Sequence, residues 1–445
     1  MTNTTLNNRP VGCERAMLML PFNVVLAARI KGSIDTESLK TSLHNLRNRH
    51  PMLAVRVVMN QDGSAYYSSD DVPLNEFTVE SRNDETQWQK QVQHQLQKGF
   101  SLKRGPLVRC ALVHSPEVSE IILCAHHAIC DGMSLGYLLR DLLTLQHKES
   151  TVYNQTLIPP PVNSETVPTP PPSGGLKGFI IKLINKKWAS KNISFNEEAI
   201  DAMHRKFWQS NGVPHLTVWQ LDKDKTSGII SRCRQEKVTV NSVLWTAFLG
   251  AQYTVQQDHA AHRNHSALAV NTRDKLNVPA GESFGFFASS LSVTLSYKPQ
   301  LTFWENARNV HAAIMQEMKK TNLFRMLVSD LIHPTLLDSL YFQKYGLINE
   351  KIPAKFLRRM GWHKITYGYA FTNVGVFDIP TKYGALNIEE VYGPLFYSDI
   401  EEKMVGAITV GGQLTFLQAV NKKVADKAED LQKMAIQILN KGKDS

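Results

Sequence analysis

The segment Cys124-Ala125-His126-His127-Ala128-Ile129-Cys130-Asp131-Gly132 constrains this chain more than any other stretch. Ile121, Ile122 and Leu123 precede it as a short apolar run that reads as a buried strand. Leu135, Leu138, Leu139, Leu142 and Leu143 follow at helical spacing, which makes Gly132-Met133-Ser134 a strand-to-helix turn with Ser134 as N-cap. Two histidines thus stand where a strand runs out. Neighbours on a strand point to opposite faces, so one cavity can receive only one of them. With 15 His and 25 Gly in 445 residues, H-H-x-x-x-D-G arises by chance in on the order of one such chain in a thousand. Two readings fit the residues: a pair of core histidines hydrogen-bonded near a carboxylate, or one histidine acting as a general base held by an aspartate. A metal site ranks last, because adjacent strand residues do not readily share one ion and no H-x-x-x-H or C-x-x-C pair supports it.

The pattern formed by His126, His127, Asp131 and Gly132 resembles the signature of the CoA-dependent acyltransferase superfamily. That superfamily includes chloramphenicol acetyltransferase and the condensation domains of nonribosomal peptide synthetases. The resemblance implies a catalytic site of His126, His127, Asp131 and Gly132, with His127 as the base and Gly132 leaving room for substrate. It gives Asp131 a structural task, paired with an arginine from the second half of the chain. Leu268 to Asp274 resembles the segment that supplies that arginine, which points to Arg273. Arg49-His50-Pro51-Met52-Leu53 resembles an architectural corner, so His50 is read as a packing residue. Phe284 to Ser290 resembles a glycine-aromatic block at the lobe interface and places Ser289 among the substrate-binding residues. Tyr369 to Gly375 resembles a strand end facing the channel. There Thr372 or Asn373 either donates to the reacting oxygen or serves as a turn residue.

The implied fold is α/β: two chloramphenicol-acetyltransferase-like lobes, each a mixed sheet with helices, with the active-site channel between them. Residues 1–157 form the first lobe, 158–175 a proline-rich linker, extended and exposed, and 176–445 the second lobe. Local signals agree with mixed architecture. Asp35 caps a helix through Leu39, Leu43 and Leu46, Gln87 to Gln97 is a polar helix, and Asn241 caps a buried helix over Thr239 to Val255. A last helix runs from Ala425 to Leu439. Within 176–188, Leu176, Phe179, Ile180, Leu183, Ile184 and Trp188 fall on one helical stripe with lysines opposite. This reads as a basic helix packed on protein, with a peripheral membrane contact as the other reading.

Five cysteines without framework spacing suit a reducing compartment, and Cys124 and Cys130 read as small buried residues rather than nucleophiles. Residues 1–10 are polar and lack the basic start of a signal peptide, so the expectation is a cytoplasmic protein, with membrane association open. A net charge of +10 invites acidic partners. No nucleic-acid module is present in the sequence, so no nucleic acid is expected.

The activity implied is transfer of an acyl group from a thioester to a hydroxyl acceptor, directly and without an acyl-enzyme. The donor is an acyl-CoA or a phosphopantetheine-linked acyl group, the latter on an acyl carrier protein supplied in trans, since the sequence holds no Leu-Gly-Gly-x-Ser carrier site. No further cofactor and no metal are expected. An amide-forming condensation enzyme and a non-catalytic binding module that keeps the fold are the alternatives.

Overall fold

The histidine strand, Val118–His126, is buried from Ser119 to His126 because its sheet is covered on both faces. It pairs antiparallel with Asn23–Lys31 on one side and Val108–His114 on the other. Glu76–Ser81 adds a parallel edge, and Leu386–Leu395 followed by Lys382–Tyr383 completes the opposite edge. The second six-stranded sheet runs Ala288–Thr294, His265–Asn271, Tyr367–Val376, Glu401–Val410, Gln413–Val420, His215–Leu221. The computed structural model describes residues 6–146, 155–172, 174–257 and 260–444. Residues 1–5 of the polar N-terminal segment and Ser173 of the expected linker lie outside the described residues.

Helix starts follow side-chain caps. Asp35 accepts from the Glu37 and Ser38 N–H groups at the head of Thr36–Arg49, whose Leu39, Leu43 and Leu46 are buried. Over Val240–Val255 the cap is Thr239, which accepts from Ser242 N–H, and Asn241 stands inside the first turn instead. At Gly132–Thr144 the cap is Asp131 rather than Ser134: Asp131 accepts from the Ser134 N–H, and Ser134 closes a capping box at the third helical position. Either residue type can cap. The one whose backbone is still extended does so, and Asp131 has φ −117° and ψ −179°.

The lobe boundary at 176 is not kept by the sheets. Lys382–Tyr383 and Leu386–Leu395 belong to the first sheet although they lie late in the chain. Helix Glu197–Asn211 likewise buries Ile200, Met203 and Phe207 in the first core. The proline-rich stretch does not hang free either. Val167 is buried, Arg9 Nη1 donates to the Pro159 carbonyl at 3.0 Å, and Asn277 N–H donates to the Thr166 carbonyl at 2.7 Å. Its described residues form no helix or strand before Gly175, as its prolines require.

Strand Leu386–Leu395 is the point where the lobes interlock, because Pro394 lies in a notch made by two glycines. A methyl group on Gly132 would lie 2.1 Å from Pro394 Cγ, and one on Gly406 would lie 2.1 Å from the Pro394 carbonyl oxygen. Gly406→Ala is therefore expected to cost about 1–3 kcal/mol by overpacking. Gly174→Ala, with nothing within 4 Å of the added carbon, should leave the urea midpoint unchanged. Equal midpoints for the two variants would rule out the notch as a packing constraint.

Candidate active site

The paired histidines diverge as strand geometry demands. His126 N–H donates to the Leu107 carbonyl at 2.9 Å and His127 N–H to the Phe22 carbonyl at 2.7 Å, which fixes the backbone of the strand end. The His126 ring is 1% exposed, packs edge-on to Phe100, and accepts at Nδ1 from the Ala128 N–H at 3.2 Å. Burial first, then the charges of His204, His127 and Arg109, push its pKa down to about 3. His126 is thus a neutral core residue.

His127 turns the other way and is only partly buried. Its Nδ1 stands 2.9 Å from the Cys130 carbonyl oxygen. A carbonyl can only accept, so Nδ1 carries the proton and Nε2 keeps its lone pair. Nε2 has no hydrogen-bond partner among the described residues. Phe286 meets the ring edge-on at 5.3 Å and Phe396 lies tilted at 5.1 Å. Burial lowers the His127 pKa, opposed by the Cys130 carbonyl and the charge of Asp131. The result is a neutral imidazole with one free nitrogen between two aromatic walls.

Asp131 does not hydrogen-bond that ring. Its Oδ1 receives the Ser134 N–H at 2.8 Å and Arg273 Nη2 at 2.7 Å. Arg273 Nη2 also reaches Ser134 Oγ at 2.7 Å, while Nη1 donates to the Gly281 and Ser283 carbonyls. Gly285 N–H donates to Ser134 Oγ at 3.1 Å, and the hydroxyl hydrogen has Asp131 Oδ1 and the Gly285 carbonyl within 2.9 Å. Asp131 and Arg273, 142 residues apart, so meet as a buried pair across the lobes. Gly285 immediately precedes Phe286, so this knot also sets the wall beside His127.

A second ion cluster fastens the same loop. Arg140 bonds Glu282 through two contacts of 2.6 and 2.7 Å, Arg49 reaches Glu282 at 3.3 Å, and both arginines meet Asp141. His50 is fully buried with Nε2 2.9 Å from Asp141 Oδ2, a structural position. Burial alone would raise the Asp141 pKa, but the bonds from His50, Arg140 and Arg49 hold it at about 2. Sequence reasoning did not single out Arg140 or Glu282. A charged pair separated by 142 residues leaves no local pattern.

The remaining expected residues separate. Gly132 faces Pro394, so the room beside it is taken by protein rather than left for substrate. Ser289 shares the core-facing side of its strand with Leu291 and Val293, and its buried Oγ has no hydrogen-bond partner among the described residues. In Tyr367–Val376, Tyr369 and Phe371 enter the second core while Ala370 and Val374 pack on the first. Alternation therefore turns Thr372 toward the first lobe. Asn373 Oδ1 accepts from the Gly375 N–H at 2.8 Å, a turn contact. Cys124 and Cys130 are fully buried, and burial pushes both thiols up, which removes them as nucleophiles at neutral pH.

A cavity of about 610 Å³ opens between the N-terminal segment and the second lobe, with Glu14, Arg15, Pro161, Val162 and Asp330 on its walls. Val162 also lines, with Cys13, Ala288 and Phe286, a second and much smaller space. His127 lines neither space itself, and its ring stands 5.3 Å from that of Phe286.

Residues 21–156 match the condensation domain family. Chondramide synthase cmdD from Chondromyces crocatus is 23% identical over 333 residues, 72% of this chain but 8% of that protein. Tyrocidine synthase 3 from Brevibacillus parabrevis is 32% identical over 131 residues, 29% of this chain and 2% of that protein. The chain thus spans a small fraction of the length of these curated relatives. Among solved structures, the trichothecene 15-O-acetyltransferase from Fusarium sporotrichioides has a TM-score of 0.63 at 12% identity, covering 97% of this chain and 94% of that one. The condensation domain of the Monacolin K polyketide synthase MokA has a TM-score of 0.59 at 15% identity, covering 99% and 98%. At these identities the shared feature is the two-lobed fold.

Removing one partner of the buried clamp leaves the other charge unpaired, so Asp131→Ala should cost about 3–5 kcal/mol in urea unfolding. A variant of unchanged stability would show that Arg273 finds other anchorage. The histidines predict a pH dependence. His204, buried with Nε2 3.0 Å from the Met19 carbonyl, has its pKa lowered to about 4 by burial. Below an ordinary value near 6.5 the unfolded chain binds protons that folded His126 and His204 refuse. Stability should then be full above about pH 6.5 and fall toward pH 4, by roughly 1.4 kcal/mol per pH unit for each histidine. Urea midpoints at about pH 7.5 and about pH 5 check this.

Proposed function

Starting from a chain with the condensation-domain-like acyltransferase fold, we propose that it transfers an acyl group from a thioester to a hydroxyl acceptor, with His127 Nε2 as general base. The observation that carries this reading is the Nδ1–H bond to the Cys130 carbonyl, which leaves Nε2 unprotonated and free. In the proposed step the acceptor oxygen loses its proton to Nε2 and bonds to the thioester carbonyl carbon. The tetrahedral oxyanion then collapses, the C–S bond breaks, and the leaving sulfur takes the proton back from Nε2. The imidazole ends as it began, so no acyl-enzyme is needed. The donor is acyl-CoA or a phosphopantetheine-linked acyl group, and the cavity that shares Val162 with the smaller space of Cys13 and Phe286 is one route of approach. Thr372, turned toward the first lobe, is the candidate donor to the oxyanion. Arg273 and Asp131 act as positioning residues.

The likeness in fold to a trichothecene 15-O-acetyltransferase over almost the whole of both chains supports an oxygen acceptor. Amide formation is the second reading, favoured by the condensation match over 21–156 and by relatives that are peptide synthases. Both use the same base and differ in the acceptor.

Free-thiol release from acyl-CoAs of increasing length, with alcohols and with amines, tests the proposal. Alcohol-dependent release in the wild type, lowered about 10²–10⁴-fold by His127→Ala, is expected. Release unaffected by His127→Ala, or an acyl group trapped on Cys130, would contradict it. Release only with amines would move the assignment to amide formation.

A further inference from the structure

Helix Gly175–Ala189 carries two different apolar faces where the sequence suggested one. Trp188 is 1% exposed and donates through Nε1 to Thr335 Oγ1 at 2.9 Å. Asn185 Nδ2 donates to the Leu331 carbonyl at 2.8 Å, and its Oδ1 accepts from the His333 N–H at 2.9 Å. That side, which Ile184 and Ile181 share by helical spacing, seats the helix on the protein. Leu176, Phe179 and Leu183 lie about a third of a turn or more from Trp188, and Ile180 about a quarter of a turn, at the i, i+3, i+4, i+7 positions of a single stripe. In that order they are exposed by 75%, 59%, 52% and 46%. A helix whose apolar residues merely served packing would bury this stripe, yet here it faces outward.

The surroundings say what covers it. The helix holds four lysines, Lys177, Lys182, Lys186 and Lys187, and no acidic residue. On a helical wheel Lys182 and Lys186 flank the stripe on one side, and Lys187 continues it by a turn. A convex ridge of large apolar side chains edged by exposed lysines suits a planar, deformable, negatively charged boundary. It would need a matching groove on a folded partner. Among the described residues no helix is long and apolar enough to cross a membrane, so contact along the surface is what remains for this stripe in a bilayer. We propose that Gly175–Ala189 docks the protein on an anionic lipid surface, with Leu176, Phe179, Ile180 and Leu183 entering the headgroup boundary and Lys182, Lys186 and Lys187 meeting lipid phosphates. This goes beyond the acyl-transfer reading and does not depend on it.

Co-sedimentation of the full chain with phosphatidylcholine vesicles, with and without phosphatidylglycerol, tests the proposal. The wild type should partition onto the phosphatidylglycerol vesicles at low salt and release at high salt. Lys182→Gln and Lys186→Gln should each lower partitioning about fivefold. Phe179→Ser combined with Ile180→Ser should lower it by about tenfold or more. Both sets should keep their wild-type thermal melting. Three results would overturn the idea: no binding of the wild type to the anionic vesicles, binding insensitive to the Phe179→Ser and Ile180→Ser pair, or a wild-type oligomer that this pair dissolves. The last would mean a second copy covers the stripe.

Discussion

One carboxylate holds the two halves of this molecule in register. Asp131 caps the helix that follows the histidine strand and, with the same oxygen, receives Arg273 from the other lobe. The two bonds come from different parts of the fold, so the helix start and the loop over 273–287 cannot move independently. Taking both charges out of water is costly, and only the full set of partners makes it tolerable. Ser134 and the Gly281 and Ser283 carbonyls supply the rest. Because Gly285 is bonded into the same knot, the position of Phe286 beside His127 follows from it. The wall beside His127 is placed by an ion pair that never touches the imidazole ring.

What was legible in the sequence was local or carried by a motif. The buried strand into His126 shows as an apolar run, the Asp35-capped helix as spaced leucines behind a cap, and Gln87–Gln97 as a polar helix, each readable in one pass along the chain. Arg273 was legible only through resemblance, since nothing near it in sequence reveals its partner. Leu386–Leu395 was not legible at all. Its glutamates, glycine and proline break the alternation that marks a strand, and its pairing partner Asn23–Lys31 lies more than 350 residues away. Missing that strand is what made the lobe boundary at 176 look clean. The cap at Asp131 was misplaced for a smaller reason. Asp and Ser cap about equally well, and the choice is made by which residue remains extended when Arg273 arrives.

Adjacency of the histidines gives each ring a different setting. The strand end must remain a strand through His126 for His127 to be presented at its tip, and the bond from His126 N–H to the Leu107 carbonyl does that. The His126 ring then fills the core between Phe100 and the helix that carries His204. A polar ring in that position is held neutral by burial, so protonating it in acid works against the fold.

The lowered pKa of His127 has two consequences that pull against each other. A depressed value favours the neutral, proton-accepting form of the imidazole. It also makes that form a weaker base, since affinity for the acceptor proton falls with the pKa. In the proposed reaction the weakness matters little, because the proton does not stay: the leaving sulfur reclaims it within the same turnover. What the site must supply is geometry, with Nδ1 locked to the Cys130 carbonyl and the ring fixed between Phe286 and Phe396. A ring that cannot rotate presents one nitrogen along one line, and that pre-paid alignment can contribute more to the barrier than basicity does. The charge of Asp131 raises the pKa only against the larger effect of burial, since its oxygen bonds Arg273 and Ser134 rather than the ring; in the proposed reaction His127 is then a base that is weak, available and aimed.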